Sequence, residues 1–406
     1  MTPADLLTAA AVRERSNLML AAALDDRLDH FRVDLDRLPA AADYVLAVMR
    51  RNYPDLDVPF HARWRHFTVG GVDRWAEIAA VRDWDTAAEM ARAAFDLVIP
   101  SVLLDAGAGP DWRYEDPVTG ATLARSEGLA AASVAMFASG LFSSRPEDPF
   151  RADARALASL AEDELAAGFQ ITSANPMLGL RGRLELLRRL GTRVAEAQEF
   201  FGSGAEARVG GLFDTLAAAT NEGRIAAPKI LEIVLAALGP IWPGRIGADG
   251  VDLGDTWRHP AIVTDDATNG LVPLHKLSQW LSYSLIGPLE WAGLTVTGID
   301  GLTGLAEYRN GGLFVDMGVL ALKDPADAAR AHPVFSALVV EWRALTVALL
   351  DRIADLIRER LGADVDAMPL AKVLEGGTWS AGREIARQKR ADGGPPLTVI
   401  SDGTVF

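Results

Sequence analysis

Cysteine is absent from all 406 residues. That excludes disulfides, thiolate nucleophiles, Cys-type zinc sites and iron–sulfur clusters, and it fits a reducing cytosol. Positive charge is also scarce: 40 Lys and Arg against 55 Asp and Glu leave a net charge of −15. Such an excess of acid argues against nucleic acid or an anionic membrane surface as the main partner. No apolar run approaches the length of a membrane span, and Asp5, Arg13, Glu14 and Arg15 interrupt any apolar signal core near the N-terminus. The uncharged stretch 128–144 is rich in Ala, Ser and Gly and reads as a buried helix. The sequence has no P-loop, no GxGxxG after a strand, no HExxH and no GxSxG elbow. Any chemistry must therefore come from carboxylates, arginines, histidines or Lys276, and no cofactor is implied.

Half of the residues are apolar, enough to bury a large core. Apolar residues recur at helical spacing over 4–24, 39–51, 86–104, 153–169, 179–191, 209–220, 225–238 and 335–361. Strand signals are few and short. They include a hairpin around Pro117–Gly120, the LTVTGI segment at 294–299, and a closing hairpin around Ser401–Gly403 that could lie beside LTVTGI. The expectation is a mainly α protein, a multi-helix globular bundle with a few short β-hairpins. It is read as a single compact domain over 1–406, with a weak subdomain boundary in the Pro- and Gly-rich stretch 240–254.

Chemistry is densest in 275–316, HKLSQWLSYSLIGPLEWAGLTVTGIDGLTGLAEYRNGGLFVD. Leu277, Leu281 and Leu285 share one face of its helix, while Lys276, Gln279 and Tyr283 share another. Pro288 is expected to end that helix, and Asn310-Gly311-Gly312 to turn the chain. The turn would show Glu307, Tyr308 and Arg309 on one side and Asp316 on the other. A carboxylate, a guanidinium and an amide so placed can bind and activate a small polar substrate. The same charges would equally pair with one another in an ordinary hairpin.

Two other segments carry polar groups of interest. The segment 58–75, VPFHARWRHFTVGGVDRW, gathers His61, Arg63, Arg65, His66 and Arg74 beside aromatics in an otherwise acidic chain. Guanidinium forks suit an anion such as a phosphate, and they equally suit stacking and local ion pairs in a structural corner. The spacing of His61 and His66 fits neither one helix face nor a familiar zinc pattern, so no metal is expected. Asp105 follows a helix and precedes the loop AGAGPDW, as a pocket wall or as an ordinary turn residue. Glu127, near the start of the uncharged helix, reads as a cap.

Several blocks together resemble the uracil-catabolism family of fungi and bacteria, whose pathway passes through ribosylurea. They are FHARWRHFTVGGVDR at 60–74, SVLLDAGAGPDWRY at 101–114, RSEGLA at 125–130, HKLSQWLSYSL at 275–285, LTGLAEYRNGGLFVD at 302–316, and the closing GGTWSAGREIA and SDGTVF. The resemblance implies the step that consumes ribosylurea and yields urea. A fainter similarity links Lys276, Gln279, Glu307, Tyr308 and Arg309 to the Lys-x-x-Gln helix and Asp-Tyr-Arg turn of the queuosine-salvage hydrolases. Those enzymes cleave an N-ribosidic bond and resemble helix-hairpin-helix glycosylases. Their further helix Asp is replaced here by Ser284.

The resemblance implies a hydrolase of the N-glycosidase type, acting on the small molecule ribosylurea or its 5-phosphate in the cytoplasm. Glu307 is the first candidate for the catalytic carboxylate, followed by Asp316 and then Asp105. Lys276, Gln279, Tyr308, Arg309 and Asn310 are candidates for holding substrate, and His61, Arg63, Arg65 and His66 for holding a phosphate. An amidohydrolase attacking the urea carbonyl and a non-catalytic binder of the intermediate are the alternatives. Apolar stripes on the long helices are compatible with a homodimer.

Overall fold

The computed structural model describes residues 1–204, 207–242 and 246–400. Helix accounts for 55% of the chain and strands form only short pairs, so the fold is mainly α, as the apolar periodicity implies. The central element is the helix Ala337–Leu361. Ser336 caps its start by accepting from the Val339 amide, and Gly362, in left-handed backbone, ends it. It is buried on every face from Leu338 to Leu350, as expected of a helix surrounded by others. Its neighbours are the helices Ala9–Leu24, Leu38–Asn52 and Tyr308–Asp316. A second buried helix, Lys276–Trp291, packs against Ala87–Leu103 and Ala227–Leu238. One contiguous apolar cluster joins both systems, with a small satellite at Leu6, Ala11, Leu253 and Leu271. No helix among the described residues is long and apolar enough to cross a membrane.

Pro288 does not end its helix, which continues to Trp291. Proline cannot donate to the carbonyl four residues back. Here the Trp64 indole donates to that carbonyl, Ser284 O, at 2.6 Å, so the gap in the ladder is filled from outside the helix. The expected turn at Asn310-Gly311-Gly312 is likewise helical, inside Tyr308–Asp316. Gly311 is needed for contact and not for a turn: a Cβ there would come within 2.7 Å of Trp342 Nε1 and Thr346 Oγ1.

The strands among the described residues form seven two-stranded pairs. The expected hairpin is present, Tyr114–Glu115 against Thr122–Leu123. Thr295–Thr297 pairs in parallel with Arg224–Ala226, and Thr398–Ile400 with Ala331–Pro333, so the late strand does not lie beside LTVTGI. The closing turn at 401–403 falls outside the described residues. The stretch 240–254 contains a short hairpin, Gly247–Ala248 with Val251–Asp252.

Candidate active site

The start of the Lys276–Trp291 helix is tied to the centre of the molecule. His275 takes left-handed backbone (φ 47°), and the Lys276 amide donates to Asp255 Oδ2 at 3.0 Å. Asp255 accepts two further bonds from Arg343 on the central helix, at 2.8 and 2.7 Å, and one from the Trp257 indole at 2.6 Å. Lys276 is thereby held inside, 8% exposed. Its ammonium has no ion-pair partner among the described residues. Burial lowers its pKa, opposed by the nearby charges of Asp105 and Glu307.

Those two carboxylates come from different parts of the chain. Glu307 caps the Tyr308–Asp316 helix, accepting from the Arg309 amide at 2.8 Å and the Asn310 amide at 2.6 Å. Burial nevertheless raises its pKa above the usual glutamate value. Asp105 follows the Ala87–Leu103 helix and accepts from Arg63 Nη1 at 2.8 Å and Ser126 Oγ at 3.1 Å. Burial pushes Asp105 up, but Arg63, His66 and Lys276 outweigh it and hold the carboxyl below its ordinary value. Beside one lysine, then, one carboxyl is pushed towards its protonated form and the other is kept ionised.

Arg63 extends the cluster. It sits on the short 3-10 helix Arg63–Phe67, with its own amide donating to Ser284 Oγ at 2.9 Å and its Nε to Ser101 Oγ at 2.8 Å. Next to it, two histidines and two tryptophans form a ring-lined group. His61 lies 6.1 Å from Trp280 and 6.0 Å from Trp379, centroid to centroid, and His66 lies 5.9 Å from each. His61 Nδ1 bonds Glu375 at 2.7 Å. Glu375 sits on a single π-turn, Leu374–Thr378, a local widening often found at functional sites. Burial, followed by the Arg63 charge, lowers the His66 pKa to about 4, so its ring is neutral near pH 7. Glu127 pairs with Arg383, whose guanidinium lies over the Trp379 ring at 5.4 Å.

The family described as "Protein of unknown function (DUF1688)" matches residues 5–406. The chain belongs to it. "Protein urg3" of Schizosaccharomyces pombe is 39% identical over 100% of this chain and 99% of that protein. "Uracil catabolism protein 4" of Lachancea kluyveri is 38% identical over 94% of this chain and 93% of that protein. The likeness carried by the sequence blocks to a uracil-catabolism family is borne out by these relatives.

In this DUF1688 chain, Asp105, Glu307, Lys276, Arg63 and His66 belong to one electrostatic cluster. Tyr308 is coupled to it through Glu307 and Asp105. His61 joins through the shared tryptophans. Asn310 holds Leu305 O and accepts from Thr378, and Arg309 donates to Gly393 O, so both brace the loop that carries Glu307. Gln279 accepts from the Thr303 amide at 3.2 Å, and Tyr283 donates to Thr303 O at 3.1 Å, bracing the same loop from the other side.

Asp316 lies elsewhere: both its oxygens are held by Arg390, at 2.7 and 2.6 Å. Arg65 is half-exposed and 3.8 Å from Glu375. Ser284, which replaces the expected helix Asp, donates to Trp280 O and accepts from Arg63, contributing no charge. Sequence reasoning missed Trp280, Trp379, Glu375 and Arg383 as a group, and gave Glu127 only a capping role. The EGGTWSAGR stretch at 375–383 holds three of them in order, but nothing in its spacing indicates that it folds against residues 61–66.

Proposed function

We propose that this protein is a hydrolase of uracil catabolism that cleaves the N-ribosidic bond of ribosylurea, or of its 5-phosphate, to urea and the ribose moiety. The observation that carries the reading is the buried Lys276 ammonium, without an ion-pair partner among the described residues, beside two buried carboxylates: Asp105, held by Arg63 at 2.8 Å and kept ionised, and Glu307, at a helix start and raised by burial. The uracil-catabolism name of one relative supports the pathway, and ribosylurea as the substrate follows the resemblance carried by the sequence blocks.

Cleavage breaks the bond between the anomeric carbon and a urea nitrogen, through a state with positive charge on the sugar. Water adds to the carbon, and the nitrogen leaves with a proton. Asp105, kept ionised by Arg63, stabilises the positive sugar. Glu307, raised by burial, gives the proton to the leaving nitrogen and takes one from the attacking water. Lys276 offers three donors to sugar hydroxyls.

The test is to give the purified protein ribosylurea, with and without the phosphate, and to assay urea and ammonia separately. Urea is expected without ammonia, and both Asp105→Asn and Glu307→Gln should lower its rate by ~10²-fold or more. Ammonia as the first product would point to attack on the urea carbonyl. No turnover of either form would sink the reading.

A further inference from the structure

Buried polar atoms in native proteins almost always have a hydrogen-bond partner, and four that lack one among the described residues sit on neighbouring side chains. They are Arg63 Nη2, His66 Nδ1, Trp280 Nε1 and Arg383 Nε. Arg63 lies over the Trp280 ring at 5.5 Å, His66 stands edge-on to both tryptophans at 5.9 Å, and Arg383 lies over Trp379 at 5.4 Å. Arg63, His66 and Trp280 are each less than a tenth exposed. Such a concentration marks a place where a polar molecule completes the bonding.

The charges around it decide what kind of molecule. Arg63 is already matched by Asp105 and Arg383 by Glu127, and His66 is neutral. An anion entering this group would meet two carboxylates, and both guanidiniums in it are already matched. The free capacity is three N–H donors and one ring nitrogen, beside carboxylate oxygens that can still accept. This complements a carbonyl oxygen flanked by N–H groups. A cleft of about 400 Å³ between the helices Leu38–Asn52 and Trp379–Lys389 shares Trp379 and Arg383 with the group, placing it next to solvent.

We propose that Arg63, His66, Trp280, Trp379, Arg383 and Glu127 form a binding subsite for an uncharged planar ureide, and that it takes no phosphate. The assignment rests on the reading of the protein as a ribosylurea hydrolase, for which this subsite holds the urea end of the substrate. The N–H groups of Trp280, Arg63 and Arg383 bond the ureide oxygen. The ureide N–H groups bond Glu127 and the neutral His66 ring.

Methylurea, titrated into the full-length protein and followed by tryptophan fluorescence and ligand-observed NMR, is the probe, with inorganic phosphate as the counter-probe. Saturable methylurea binding on the order of millimolar is expected for so small a ligand. His66→Phe should weaken it about tenfold or more, since that is the usual consequence of losing one buried hydrogen bond. It should leave the melting temperature unchanged or higher, because it removes an unpaired polar atom. His66→Asn, which keeps a polar atom near the Nδ1 position, should retain binding. If His66→Phe fails to fold, Trp379→Leu on the half-exposed cleft side should show the same loss.

Phosphate binding at pH 7 that is lost in His66→Phe would overturn the proposal. So would the absence of methylurea binding, which would leave only ordered water in the group. Methylurea binding that depends on His66, in a protein that releases no urea from ribosylurea, would uphold the subsite and remove the ribosidase reading. Urea release with methylurea binding indifferent to both variants would do the reverse.

Discussion

A buried ammonium without an ion-pair partner costs several kcal/mol even after relaxation, and Lys276 is in that position among the described residues. Nothing in the packing of its helix requires a charge there. Leu277, Trp280 and Leu281 already fill the apolar contacts. The cost is explained if the ammonium is needed for substrate, the usual trade between stability and activity. Lys276→Met, which keeps the stem, is therefore expected to stabilise the fold by about 1–4 kcal/mol in denaturant unfolding. Urea release from ribosylurea should fall in the same variant by ~10²-fold or more. A variant that is both less stable and fully active would show Lys276 to be a structural lysine. Asp316 has the opposite character: Arg390 takes both its oxygens, so its charge is matched by a structural ion pair away from Lys276.

At the scale of elements, the position of Glu307 depends on how closely two helices approach. The Tyr308–Asp316 helix crosses Trp379–Lys389 at Gly382, where a Cβ would stand 2.2 Å from the Arg309 carbonyl oxygen. Backbone cannot swing aside as a side chain can, so Gly382→Ala must push the helices apart. The expected loss is about 1–3 kcal/mol of stability, as for other overpacked contacts. Because Glu307 caps one of these helices and Trp379 and Arg383 lie on the other, kcat should fall with the melting temperature. Unchanged kinetics in a destabilised Gly382→Ala protein would show that the site does not depend on this crossing.

For the whole molecule, Asp255 joins segments that are distant in sequence. Its carboxylate holds Arg343 on the central helix, the Trp257 indole and the first amide of the helix that carries Lys276. Both Asp255 and Arg343 are buried. Removing one member of a buried pair leaves the other uncompensated, so Asp255→Asn should cost about 3–5 kcal/mol. The double variant Asp255→Asn with Arg343→Met should recover much of that loss, since it removes both charges. A double-mutant cycle by chemical denaturation reads the difference. Losses that simply add would show that the two groups are not coupled.

Helical periodicity and the shortage of strand signals were enough to specify a mainly α fold, because the spacing of apolar residues reflects which face each helix must bury. The absence of cysteine and of nucleotide motifs restricted the chemistry to carboxylates, arginines, histidines and Lys276. The sequence also drew attention to Glu307 and Lys276, by a charged turn and a polar helix face, and it was the family resemblance that made them site candidates. It misplaced two breaks. Pro288 is tolerated because Trp64, more than two hundred residues away in sequence, supplies the missing donor. The Asn310-Gly311-Gly312 run is helical because Gly311 lies against Trp342.

Only the tertiary structure decided that Asp105 faces Lys276 while Asp316 is held by Arg390. It alone brought His61, His66, Trp280 and Trp379 into one group. Such pairings depend on long-range packing, which sets pKa values and leaves polar atoms unmatched. Local sequence pattern carries no record of which distant side chain will arrive.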